Sequence, residues 1–151
     1  DIIIEHVKNG VLLAKKFNLP ERIIDFIKSH HGTTTVLYFF HKQSLINKNV
    51  IIETFKYPGP KPHSKETSIV MIADGVEAAS KSLKSPNLEN IKQLVDKVTS
   101  RLMEENQFID ATITLKDIQI VKKVITDKLV SSLQLRVEYP ENNENKSNML
   151  K

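Results

Sequence analysis

A chain of 151 residues, 40% of them apolar, is long enough to bury one ordinary core and is expected to form a single domain. It contains no Cys, which excludes disulfides and thiolate metal sites and leaves only N and O donors for any metal. A formal charge of +4 helps to attract an anion but falls short of the basic footprint of a protein that binds nucleic-acid polymers, and no apolar run approaches the roughly 20 residues of a membrane span.

The elements follow from spacing. Four Gly and six Pro, with apolar residues recurring at three and four positions, make the fold class all-α. The chain enters an amphipathic pattern at once, Asp1-Ile2-Ile3-Ile4-Glu5-His6, without an initiator Met or a signal peptide, and is expected to begin inside a larger protein. Ile3, Val7, Val11, Leu12 and Ala14 trace a first helix as far as Phe17, and Asn18-Leu19-Pro20 turns the chain into a second helix over Pro20 to Ser29. That helix runs into His30-His31-Gly32, where Gly suits a helix end. Thr33 to Thr35 offer N-cap hydroxyls for a third helix, whose apolar block Val36 to Phe40 is expected in the core.

The stretch 47–63, with three prolines in Tyr57-Pro58-Gly59-Pro60-Lys61-Pro62, reads as a stiff loop. Ser64 then caps a helix with Glu66 in its first turn and the stripe Ile69, Ile72, Ala73, Val76, Ala79 and Leu83. Ser85-Pro86-Asn87 breaks it before a helix over 88–106 bearing Ile91, Leu94, Val95, Val98 and Leu102, and Thr114 caps a last helix over 115–135 with Ile118, Val121, Val124, Ile125 and Leu129. Pro140 lies beyond its end, and the Asn-rich tail 141–151 is expected to be disordered.

Four residues are candidates for chemistry. His30 and His31 converge on one site only if the backbone leaves regular helix there; taken alone, such a pair is a weak signal that also suits a surface or capping role. His6, on the first helix, and Asp74, a carboxylate set among Ile72, Ala73, Gly75 and Val76, strengthen the case, because a carboxylate buried there needs an ion partner or a metal. Imidazoles with a carboxylate suit Fe, Mn, Zn or Co, ions able to activate water and neutralise phosphate charge. His41 and His63 are placed at the solvent edge, and the lysines of the later helices, Lys81, Lys84, Lys92 and Lys97, on a solvated face.

The string Tyr57-Pro58-Gly59-Pro60-Lys61-Pro62, then Ser64-Lys65-Glu66, then Met71-Ile72-Ala73-Asp74-Gly75-Val76-Glu77-Ala78-Ala79-Ser80, with His6 and His30-His31-Gly32-Thr33, resembles the cytoplasmic HD domain of the seven-transmembrane HD-domain (HDIG-type) cyclic-dinucleotide phosphodiesterases. The resemblance runs from Ile2 to Pro140 and implies an HD-like helical bundle over 1–140 without its first helices. It also implies two divalent metals, Fe or Mn, that activate water to cleave c-di-AMP to a linear dinucleotide, at the cytoplasmic face of a bacterial membrane to which an upstream region anchors the protein.

By the same resemblance His6 matches the family's later His ligand, His30 and His31 its adjacent pair, and Asp74 its final Asp, while Tyr57, Lys61 and Lys65 fall where phosphate or base is contacted. The sequence departs from the pattern in having no His-Asp dipeptide and no His before His6. At most one metal position then keeps most of its donors, and the expectation is a truncated piece, inactive alone. The alternative is a nucleotide-sensing or helical interaction module without catalysis.

Overall fold

The computed structural model describes residues 2–84 and 86–137. Ser85 of the expected helix break, Pro140 and the tail 141–151 lie outside the described residues, as does the end of the 1–140 unit. Among the described residues there are six α-helices and no strand: α1 (Ile2–Lys16), α2 (Glu21–Ser29), α3 (Leu37–Ile46), α4 (Lys65–Ser80), α5 (Leu88–Glu104) and α6 (Leu115–Val137), with one 3-10 turn over Ile52–Phe55. A single isolated bridge pairs Thr35 with Lys56. No helix of the described residues is long and apolar enough to cross a membrane.

The main core is shared by α4, α5 and α6. Met71, Ile72 and Val76 of α4 meet Ile91, Val95, Val98 and Leu102 of α5 and Val121 of α6, and each such buried aliphatic contributes about 1.5–3 kcal/mol of hydrophobic stabilisation. The predicted stripes held at these positions. They fail at Ala73, which is exposed, and at Val124, half exposed; Leu83 packs against the core but lies past the end of α4. A second, smaller cluster joins α1 to α2 through Val7, Ala14 and Ile24. Gly10 permits the close approach, since a Cβ there would sit 3.0 Å from Ile27 Cγ2.

Asn18, at φ 52, ends α1: its N–H donates to the Lys15 carbonyl and that of Leu19 to the Ala14 carbonyl, at 3.0 and 2.9 Å. This left-handed cap satisfies two orphan carbonyls and folds α2 back on α1. The α1–α2 hairpin then meets α4 through α2, with Arg22 on α2 3.4 Å from Glu66 on α4.

The third helix corrects two expectations. Its N-cap is Val36, without any side-chain bond, because Thr34 Oγ1 donates instead to the His31 carbonyl at 2.8 Å. None of its residues is fully buried, and Tyr38 is 69% exposed. The helix packs against its own return loop, Phe40 against Phe55 with ring centroids 5.8 Å apart. A concavity of about 1060 Å³ opens beside it, lined by Ile3, Ile4, Phe39, Ile46, Ile51 and Phe55 among others, and none of the four candidate ligands borders it.

The caps of α4 and α6 are as the sequence implies. Ser64 Oγ accepts from the Thr67 N–H at 3.2 Å, and Thr114 Oγ1 accepts from the Asp117 N–H at 3.1 Å. Asp117 Oδ2 in turn accepts from Thr114 Oγ1 at 2.7 Å and from its N–H at 3.0 Å, and Lys65 Nζ lies 3.0 Å from the same oxygen. These Thr114 bonds foremost, then Lys65, hold the Asp117 carboxyl down at about 2, against 3.8 when unperturbed. Since the folded value is the lower one, its contribution is complete above pH 3.8 and is lost as pH falls toward 2. Asp117→Ala is therefore expected to lower the Tm at neutral pH, with the gap from the parent chain narrowing in that acidic window; a gap that stays constant on acid titration would refute this role.

Candidate metal centre

Two helix ends build the site. His30 caps α2, its N–H donating to the Phe26 carbonyl at 3.1 Å, and Gly32 turns the chain at φ 52 immediately after His31. Adjacent side chains on a regular helix diverge by about 100°. Here, at the point where the helix ends, the two imidazoles lie with centroids 4.0 Å apart. His6 reaches them from α1, with ring centroids 5.4 Å from His30 and 5.0 Å from His31. One ring nitrogen from each of the three lies within 4.8 Å of the others, and this is the one such cluster of three or more donors among the described residues.

Hydrogen bonds behind the rings fix which nitrogens face inward. His6 Nδ1 meets the Ile3 carbonyl, and His30 Nδ1 meets the Ile27 carbonyl at 2.8 Å. A carbonyl only accepts, so both Nδ1 atoms carry the proton, and in the neutral rings both Nε2 atoms present lone pairs. Those two Nε2 atoms stand 3.3 Å apart. Two lone pairs at that distance repel unless a cation or a shared proton lies between them. Metal–nitrogen bonds of about 2.1 Å at tetrahedral to octahedral angles separate two donors by about 3.0–3.4 Å, so the spacing fits a metal.

The electrostatics favour the same form. Burial, and then the neighbouring charges of His30 and His6, push His31 down to about 4 from the ordinary 6.5, which keeps it neutral near pH 7 and able to ligate. Asp74 Oδ2 lies 3.3 Å from His31 Nδ1, and burial raises the Asp74 carboxyl above its usual range. Tyr57, nearly buried, stacks on His31 with centroids 4.3 Å apart and an interplanar angle of 21°. Burial first, and then the charge of Asp74, raise its phenol. All three histidines and Asp74 thus meet in one place, although Asp74 touches the cluster through His31 and stands outside the three-nitrogen set.

The remaining candidates are distributed unevenly. Lys61 is half-buried in the proline loop that follows Tyr57. Lys65, expected at the substrate, is instead engaged by Asp117 on α6. It stands nine residues before Asp74 on α4, about 13 Å along the helix axis. His41 is exposed, and His63 lies 4.0 Å from Asp25 on α2. One residue at the site has no motif around it. Gln107, 1% exposed, accepts from the Thr33 N–H at 3.0 Å and donates Nε2–H to Thr33 Oγ1 at 3.0 Å, directly behind the histidine pair.

No family model matches the chain. It is 36% identical over 141 residues to the cyclic-di-AMP phosphodiesterase PgpH of Bacillus subtilis, which covers 93% of this chain and 20% of that protein. The PgpH of Listeria monocytogenes is 34% identical over 144 residues, 95% of this chain and 20% of the relative. The crystal structure of the L. monocytogenes PgpH HD domain in complex with cyclic-di-AMP superposes with a TM-score of 0.85 at 34% identity, covering 92% of this chain and 65% of that one. The chain is homologous to the PgpH HD domain. It spans about a fifth of the length of these curated relatives. The all-helical PgpH HD fold is shared with it, as the resemblance implied.

Proposed function

We propose that this chain is the C-terminal part of a metal-dependent HD phosphodiesterase domain that cleaves c-di-AMP to a linear dinucleotide. The observation that supports it most is the convergence of His6 Nε2 and His30 Nε2, 3.3 Å apart, beside a neutral His31, a spacing that a divalent ion between them would fit. The homology to a PgpH HD domain crystallised with cyclic-di-AMP supports the substrate.

In this reading His6, His30 and His31 hold one divalent ion, and Asp74 orients His31 or ligates a second ion itself. A bound metal supplies Lewis acidity toward a phosphate ester and activates water at neutral pH. The protein's own part is to keep His31 neutral, to fix the tautomers of His6 and His30 through the Ile3 and Ile27 carbonyls, and to screen one side of the site with the Tyr57 ring. Lys61 is the favoured phosphate contact, since Lys65 already has a partner in Asp117. Two ions of iron or manganese, and a membrane region upstream that places the domain at the cytoplasmic face, complete the proposal.

A second reading is a domain that senses a nucleotide without turning it over; it would be favoured if the His-Asp dipeptide missing from this sequence were missing from the extended protein as well. Metal content and c-di-AMP hydrolysis, measured side by side on this chain and on a chain extended upstream as in the relatives, separate the two. The phosphodiesterase reading expects turnover and a full metal complement only in the extended protein. Metal-loaded protein that binds c-di-AMP without cleaving it would establish the sensor instead.

A further inference from the structure

We propose that Gln107 is a positioning residue for the metal-holding histidines, a role that rests on the metal reading above. Its side chain reaches the site from the end of a different helix. α5 finishes in the same left-handed cap as α1: Asn106 has φ 54, its N–H donates to the Met103 carbonyl at 2.9 Å, and the Gln107 N–H donates to the Leu102 carbonyl at 3.0 Å. Leu102 belongs to the main core, so the backbone of Gln107 is tied to the most rigid part of the molecule.

From there the carboxamide uses both of its ends on one residue. Oε1 accepts from the Thr33 N–H and Nε2 donates to Thr33 Oγ1, each at 3.0 Å, with a further bond from Nε2 to the Glu105 carbonyl at 3.3 Å. Thr33 is two residues past His31, and Gly32 between them has no room for a side chain, since a Cβ would lie 2.3 Å from Gln107 Oε1 and 2.6 Å from Met71 Cε. Facing Gln107, the Tyr57 N–H donates to the Thr34 carbonyl at 2.9 Å. The turn that aims His30 and His31 is therefore clamped between the end of α5 and the loop that carries Tyr57. An apolar residue at 107 would leave the Thr33 N–H without its acceptor and free the turn to relax.

The test is a Co2+ titration of the metal-free chain, followed by the visible absorption of the bound ion, together with amide hydrogen exchange over residues 30–34. Gln107→Leu keeps the bulk and removes both polar ends. It is expected to weaken Co2+ binding about tenfold, the lower end of the effect of losing an outer partner behind a ligand, and to speed exchange at Thr33. Val95→Ala, in the buried stripe of the same helix, is expected to lower the Tm while leaving Co2+ affinity and Thr33 exchange as in the parent chain. Gln107→Glu, which retains the acceptor for the Thr33 N–H, should recover most of the affinity. Thr33→Val, which removes only the hydroxyl, should show a smaller loss of the same kind should the Leu variant not fold. Parent-like Co2+ binding in Gln107→Leu, or an equal loss in Val95→Ala, overturns the positioning role. Failure of both the parent chain and the upstream-extended protein to bind Co2+ overturns the metal reading, and is seen without any variant.

Discussion

A His30→Ala chain titrated with Co2+ or Mn2+ is expected to bind at least about 100-fold more weakly than the parent, since removal of a mere outer partner already costs 10–100-fold. His30 is the sharpest choice because its Nε2 faces that of His6 at 3.3 Å while its Nδ1 is held by the Ile27 carbonyl. The fold should survive, as the ring lies at a helix end outside the main core and its loss relieves an opposed pair of lone pairs. The metal-free variant is thus expected to match or exceed the parent in Tm, whereas metal raises the Tm of the parent alone. A variant that kept parent-like affinity would remove His30 from the ligand set.

Gly32→Ala carries the second large effect, and it acts on stability and site together. The residue sits at φ 52, where an L side chain is strained, and the new Cβ would lie within contact distance of Gln107 and Met71. Left-handed strain and overpacking each amount to about 1–3 kcal/mol, so a total loss of about 2–6 kcal/mol is expected in a urea titration. Gln107 must move to admit the methyl group, which breaks its bonds to Thr33 and loosens the histidine turn. Metal affinity should fall with stability, unlike in a simple core variant. An unchanged urea midpoint would mean that the turn relaxes freely and that the clamp is weak.

Much of this was legible in the sequence, for reasons that differ by element. The stripes of α4 and α5 name their own core face, and Ser64 and Thr114 announce helix starts through short-range bonds that need no tertiary context. His6, His30, His31 and Asp74 stood out as candidates through their residue types and, above all, through the family resemblance, and the structure brings them within reach of one another. The block Val36 to Phe40 misled because an apolar run says that a segment can be buried without saying what is there to cover it. Thr33 to Thr35 offered hydroxyls for capping α3, but a threonine hydroxyl can cap forward or bond back, and that of Thr34 bonds back to His31. That Lys65 pairs with Asp117 could not be read from the sequence, because α6 supplies the partner from 52 residues away. Gln107 gave no local signal at all: its partner is 74 residues away, and only the packed bundle joins them.

That distance also sets an order of events in folding. His6 and His30, 24 residues apart, meet inside one helical hairpin, whereas the loop that brings Gln107 to Thr33 closes over 74 residues. Closing the longer loop costs about 1 kcal/mol more in chain entropy. The nitrogens can therefore gather while the turn that aims them is still free, and the cluster becomes rigid only when α5 docks. Loss of the Gln107 carboxamide should then show mainly as faster unfolding, with the refolding rate little changed.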